Sequence, residues 1–135
     1  MHGELLALIA AILWGLAPIF DKLALQTGVS IYVANFVRLL SAVLITFVFA
    51  AKYNFNISLN ATFYLIIAGT IGGVVAMLLY YSALSTSETA KVVAITASYP
   101  LFTALFAYIL LGEEISFKTL LGILLVFLGI LLLSK

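Results

Sequence analysis

Long apolar runs separated by short polar stretches dominate this chain. A helix needs about 20 apolar residues to cross a hydrocarbon core of roughly 30 Å. The pattern predicts five such helices, at about Leu5 to Leu25, Ile31 to Ala51, Ala61 to Ala83, Glu88 or Thr89 to Leu111, and Phe117 to Ser134. Gly28 is expected to end the first helix and Ser30 to cap the second. The pattern therefore predicts an all-α integral membrane protein with one five-helix domain over residues 1–135.

Composition agrees with this class and excludes others. Of the 135 residues, 66% are hydrophobic and 8% are charged, which is too few charges for the surface of a soluble domain. A net charge of +1 leaves no basic patch for nucleic acid. With no cysteine and a single histidine, His2, we expect no metal site and no cofactor. The sequence shows neither a nucleophile with a neighbouring base nor a pair of acids at membrane depth, so we do not expect an enzyme.

The first apolar run has a second interpretation, as a secretory signal peptide. No positively charged stretch precedes it and no A-x-A cleavage site follows it. We therefore expect the first run to remain as a membrane helix, and the whole chain to be a multi-pass protein of the plasma or inner membrane. The fifth run is short, so Lys118 and Lys135 at its ends are expected to extend toward the headgroups.

Three charged residues fall at or near membrane depth. Arg38 is the eighth residue of the predicted second helix, and a charge near the middle of a membrane helix costs about 2.5 to 3.5 kcal/mol. Asp21 and Lys22 end the first helix at a similar depth, which makes an ion pair between Asp21 and Arg38 a candidate. Two interpretations stay open: Arg38 extends to the headgroups, or it lines a polar cavity.

Small residues mark candidate packing faces on the third and fifth helices. Gly69 and Gly73 form a G-x-x-x-G motif beside Gly72, and Gly122 and Gly129 are spaced along the fifth helix. Such glycines let helix backbones approach closely where the hydrophobic effect gives no help. The alternative for the third helix is a narrow site that admits a substrate.

Pro100 and four aromatic residues are candidates for a substrate cavity. Proline removes a backbone hydrogen bond and bends a helix, and the freed carbonyls are tolerated only against protein or a water-filled cavity. Trp14, Tyr80, Tyr81 and Tyr99 lie on the first, third and fourth helices. Each aromatic residue has an equally ordinary role in core packing or in the aromatic belt at the membrane surface.

In four segments and in order, the chain resembles one EamA-type unit of the drug/metabolite transporter superfamily: LWGLAPIFDKLAL, FVRLLSAVLI, YYSALSTSETAKVVAITASYPLFTALFAYILLGEEIS and LLGILLVFLGILLL. The separate motifs are loose, and their joint order is more specific. Members usually carry two fused units and export or exchange small metabolites and drugs. The resemblance therefore implies a small-molecule carrier, with efflux by alternating access as the expected mode. The intramembrane Glu of the four-helix multidrug subgroup has no counterpart in the first helix.

The Gly-Glu that follows the fourth helix in the family pattern is matched by Gly112 and Glu113. Carboxylates just before the fifth helix lie at the positive end of its dipole, and Ser116 is able to cap that helix. We therefore predict a structural role for Glu113, in capping or in tying the fourth helix to the fifth.

Positive charges divide almost evenly between the two sides of the predicted bundle. One side has the amino terminus, Lys52 and Lys118, and the other has Lys22, Lys91 and Lys135, leaving Arg38 aside. An even division gives little orientation signal, which is either chance or the mark of a chain that inserts both ways. One five-helix unit reproduces a fused inverted pair only as an antiparallel homodimer. The sequence thus favours a homodimeric transporter of small molecules, and the alternative is a non-transporting membrane subunit that regulates a larger partner.

Overall fold

The computed structural model describes residues 2–53 and 57–133. These residues form seven α-helices and two π-helical segments, which are, in order, α1 His2–Gln26, α2 Ile31–Ala50, α3 Leu59–Ala68, the first π segment Gly69–Val75, α4 Ala76–Thr86, α5 Thr89–Thr96, α6 Tyr99–Phe106, the second π segment Ala107–Leu111, and α7 Phe117–Leu133. Because no strand occurs in the ranges described, the predicted all-α class is confirmed.

Four stretches of these helices are long and apolar enough to cross a membrane, and a fifth apolar helix is shorter: Gly3–Gln26, Ile31–Ala50, Leu59–Thr86, Thr89–Leu111 and Phe117–Leu132. Most of their large apolar side chains are exposed in the single chain, as membrane helices that face lipid or other helices require. The bounds agree with the predicted runs to within a few residues. The predicted end at Ser134 and the position of Lys135 lie outside the described residues.

The third and fourth predicted helices are interrupted, which the hydrophobic pattern did not predict. The first π segment contains three glycines, whose conformational freedom weakens regular α-helical spacing. In the fourth span α5 ends at Thr96 and α6 begins at Tyr99, with Pro100 in its first turn. Proline has no N–H for the carbonyl four residues earlier. The helix therefore ends and restarts near Pro100, where a bend had been predicted.

The chain divides into two compact units, residues 1–86 and residues 87–135. In the first unit, which contains α1 to α4, the most buried side chains are Leu84, Tyr81 and Asn35. In the second unit, which contains α5 to α7, Val92 and Ile130 are buried. The single five-helix domain stays a prediction.

The C-terminal end of α1 and the start of α2 are set by backbone geometry. Gly28 has φ +84° just after α1, a left-handed conformation that glycine adopts freely and that commonly ends helices. Ser30 occupies the N-cap position of α2, but its side chain makes no capping hydrogen bond. The predicted N-cap position is therefore confirmed without a side-chain hydrogen bond, and the Ser30 carbonyl accepts the first hydrogen bond of α2 from Ala34 N–H at 2.9 Å.

The turn before α7 is built differently. Gly112 has φ +66° and ends the second π segment, and the Glu113 N–H donates back to the Ala107 carbonyl at 3.3 Å. Ser116 Oγ accepts from Thr119 N–H at 3.1 Å, which is the hydrogen bond of an N-cap. The backbone of Glu113 thus closes one helix while the side chain of Ser116 begins the next.

Candidate functional site

A single carboxylate joins three helices in the first unit. Asp21 lies near the end of α1, and its Oδ1 accepts a hydrogen bond from Tyr81 OH on α4 at 2.7 Å. Arg38 Nε on α2 lies 3.7 Å from the same oxygen. The Asp21 side chain is 12% exposed and that of Arg38 is 41% exposed. The structure therefore brings together two residues predicted as a charged pair with one predicted as a cavity aromatic.

The contact between Arg38 and Asp21 is an ion pair rather than a tight hydrogen bond. Its 3.7 Å separation exceeds the 2.7 to 3.2 Å of ordinary N–H···O bonds. Among the residues that the structure describes, no three His, Cys, Asp or Glu side chains come together as metal ligands would. The chemistry of the site is therefore that of paired charges and hydrogen bonds.

Lys22 makes a second link between α1 and α4. Its Nζ donates to the carbonyl oxygen of Leu84 at 2.5 Å. Leu84 lies in the last turn of α4, where carbonyls have no N–H partner within the helix and a cation is favourable. We call Asp21, Lys22, Arg38 and Tyr81 the charged cluster.

One turn before Arg38, Asn35 joins α2 to the first π segment. Its Nδ2 donates to the carbonyl oxygen of Gly73 at 3.1 Å. Where a π segment returns to α spacing, one backbone carbonyl is left without a helical donor, and Asn35 supplies a donor inside that segment. A Cβ added to Gly73 would lie 3.5 Å from Leu39 Cδ2, so the two elements are closely packed here.

Sequence reasoning missed Asn35. It is 3% exposed, and its Oδ1 has no hydrogen-bond partner among the described residues. The available signal was an amide side chain within an apolar helix, three residues before a charged one, because polar groups at membrane depth usually have a function.

Tyr80 contributes a further polar atom beside the charged cluster. Its hydroxyl is buried and has no hydrogen-bond partner in the described part of the chain. Its ring centre lies 6.2 Å from that of Tyr81. Among its described residues, the first unit therefore contains two buried polar atoms, on Asn35 and Tyr80, whose hydrogen-bonding capacity is unused.

The other predicted site residues are distributed over both units. Trp14 is 68% exposed and lies seven residues before Asp21, which places both on the same face of α1. Tyr99 and Pro100 belong to the second unit. A Cβ on the remaining candidate packing glycines would meet no atom within 4 Å, in contrast to Gly73; these are Gly69, Gly72, Gly122 and Gly129. Their role in helix packing stays a prediction.

The second unit contains a cavity of about 230 Å³ where α5 ends and α6 begins against α7. Its lining is almost entirely apolar and consists of Ala97, Ser98, Pro100, Leu101, Thr119, Gly122, Ile123, Val126 and Phe127. None of these lining residues is charged, so the chemistry of the cavity suits an apolar group and differs from that of the charged cluster.

The sequence matches the EamA-like transporter family over residues 1–135. An uncharacterized transporter of Archaeoglobus fulgidus is 34% identical over 135 residues, which cover 97% of this chain and 46% of the relative. The uncharacterized transporter YoaV of Bacillus subtilis is 26% identical over 133 residues, which cover 96% of this chain and 46% of the relative. The chain thus spans about half the length of these relatives. No solved structure matches it.

Proposed function

Because the chain belongs to the EamA-like transporter family, we propose that it is one half of a small-molecule transporter, an efflux carrier of the cell membrane that works by alternating access. The observation that carries this proposal is the charged cluster. An apolar, membrane-spanning unit keeps a carboxylate, a guanidinium and a phenol together across three helices. Charges at membrane depth are expensive and typically mark the path of a substrate or an ion.

The cluster is suited to take part in alternating access. The contact from Tyr81 to Asp21 and the contact from Lys22 to Leu84 both join α1 to α4. Two such links make these helices move together, whereas the longer contact of Arg38 is free to change partner. A substrate that engages Arg38 would therefore act on the one contact that can open without unpairing Tyr81.

We further propose that a second copy of the chain, inserted in the opposite orientation, completes the transporter. Transporter sites commonly lie at the interface of two inverted repeats, and each of the two relatives is about twice as long as this chain. The open faces around Gly69, Gly72, Gly122 and Gly129 provide places where the backbone of a second copy can approach closely.

Export measurements on cells test the transport function. The small molecules released by cells that produce the wild type are compared by mass spectrometry with those released by cells that lack the protein. Arg38→Leu is expected to abolish the additional release. Glu114→Gln, which removes one exposed charge from outside the cluster and leaves the balance of Lys and Arg unaltered, is expected to leave it unchanged.

Membrane abundance of both variants is measured in parallel, so that a failure to insert is recognised. Normal release by an abundant Arg38→Leu variant would contradict a transport role for the cluster. Transport that requires an additional protein would instead support the alternative, a regulatory subunit.

A further inference from the structure

The guanidinium of Arg38 has more hydrogen-bonding capacity than its surroundings use. Its Nε faces Asp21 at 3.7 Å, and its Nη atoms make no hydrogen bond to the described residues. The side chain is 41% exposed, compared with 12% for Asp21. The Nε edge of the Arg38 guanidinium therefore faces Asp21, and its two Nη atoms remain available to a ligand.

The charges of the cluster do not balance. Lys22 and Arg38 carry two positive charges, and Asp21 carries one negative charge. Lys22 is directed to the Leu84 carbonyl, and Asp21 already accepts from Tyr81. A positive charge at membrane depth is unfavourable without a close counter-ion, and the carboxylate that faces Arg38 lies 3.7 Å away and already accepts a hydrogen bond from Tyr81.

From this arrangement we propose that the cluster binds an anionic group, a carboxylate or a phosphate, on Arg38; calling that anion the transported substrate rests on the proposed function. The planar guanidinium matches both anions through two parallel N–H···O bonds, which an ammonium group cannot reproduce. The unpartnered hydroxyl of Tyr80 provides another donor beside the cluster.

Asp21 has a defined part in this site. It is the internal competitor for Arg38, so an arriving anion must replace the attraction between Asp21 and the guanidinium. Tyr81 OH stays with Asp21 and stabilises the carboxylate after Arg38 has turned to the ligand. Asp21→Asn preserves an oxygen that accepts from Tyr81 and removes the competing charge. This substitution is therefore expected to strengthen anion binding.

The anion has two sources with the same chemistry, a soluble small molecule or the headgroup of an anionic lipid. Arg38 lies seven residues from the start of α2, or roughly 10 Å along the helix axis, which a headgroup reaches only if it inserts between helices. Two experimental arms distinguish these sources. One uses soluble acetate and inorganic phosphate in detergent, and the other uses nanodiscs with or without phosphatidylglycerol.

Thermal unfolding of the purified full chain measures binding without transport. At constant ionic strength, acetate or phosphate is expected to raise the Tm of the wild type to a plateau, whereas chloride does not. The shift should be absent in Arg38→Leu and mostly lost in Arg38→Lys, which retains the charge without the planar fork. Asp21→Asn should lower the half-saturating concentration roughly threefold, and Glu114→Gln should behave as the wild type.

Each outcome decides the proposal. A shift that persists in Arg38→Leu, a shift equal to that of chloride, or weaker binding by Asp21→Asn would overturn it. Stabilisation by phosphatidylglycerol that depends on Arg38, without any effect of soluble anions, would retain the anion site and assign it to lipid. Wild-type export with no Arg38-dependent stabilisation in either arm would overturn the anion site and leave the proposed transport function standing.

Discussion

Polar contacts between helices hold the first unit together, whereas the second unit packs through apolar side chains. In residues 1–86, Asp21, Lys22, Asn35 and Arg38 all reach side chains or carbonyls on other helices. In residues 87–135, the side-chain hydrogen bonds of Thr96, Ser116 and Thr119 connect residues three or four positions apart. Polar contacts fix the rotation and depth of a helix more narrowly than apolar contacts. The first unit is therefore suited to recognition, and the second to adaptable packing.

The same difference appears where the helices are interrupted. In the first unit the π segment is closed by Asn35, which donates to the Gly73 carbonyl. In the second unit the interruption at Pro100 borders the apolar cavity of about 230 Å³. A side chain fixes the first interruption in place, whereas the second has free volume beside it. Substitutions in the two units should therefore have unequal effects.

Removing the most buried side chain of the first unit should have the largest effect. Leu84 is fully buried, whereas Leu79 on the same helix is 68% exposed. Leu84→Ala should lower the free energy of unfolding by about 2 to 5 kcal/mol because it leaves a cavity. Leu79→Ala should change it by less than about 0.5 kcal/mol. Unfolding in detergent measures both, and equal losses would show that α4 has no packed face.

Substitution of the glycines in the first π segment should affect stability unequally. Gly73→Leu would force a large side chain toward Leu39 and should cost about 1 to 3 kcal/mol. Gly72→Leu, its matched control, meets open space and should leave the thermal stability of the single chain nearly unchanged. If the face around Gly72 contacts a second copy, this variant should instead lower the dimer mass in detergent. Unchanged stability and mass for Gly73→Leu would contradict close packing at that face.

The link from Asn35 should contribute a moderate amount. Asn35→Ala removes the donor to the Gly73 carbonyl, and hydrogen bonds between membrane helices contribute about 0.6 to 1.7 kcal/mol. Thr96→Val in the second unit removes only a bond to Val92 within the same helix and should cost less. Chemical unfolding of both variants provides the comparison, which fails if Thr96→Val is the more destabilising.

The smallest effect is expected at a helix end of the second unit. Ser116→Ala removes the capping bond to Thr119 and should cost about 0.5 to 1 kcal/mol. Ser30→Ala is the matched control, since the Ser30 side chain makes no capping bond. The two thermal unfolding curves should therefore differ, and coincident curves would show that Ser116 does not stabilise α7.

Hydrophobic run length made the membrane spans predictable, and the depth along two helices made Asp21 and Arg38 a candidate pair. The hydrogen bonds from Tyr81 to Asp21 and from Asn35 to the Gly73 carbonyl could not be predicted from run length or depth. A π segment adds about one residue to a helix and rotates everything after it by roughly 100°. The face that α4 presents to Asp21 depends on this insertion, which hydrophobic periodicity does not reveal. The interruption between α5 and α6 was easier to predict, because Pro100 lacks the N–H that a continuous helix needs at that position.

The central claim is that this chain is half a transporter, completed by a second copy of opposite orientation. Lysines added at Asn54 and Asn56 bias insertion in one direction, and lysines added at residues 85–87 bias it in the other. Each biased chain alone should lose export although it is present in the membrane, and co-expression of the two should restore it.

The decisive measurement is therefore export by cells that produce the two biased chains separately and together, with orientation verified by labelling cysteines introduced at both ends of the cysteine-free chain. The inverted homodimer predicts export only when both biased chains are produced together, and none when either is produced by itself. Full export by either chain in a single fixed orientation would contradict it.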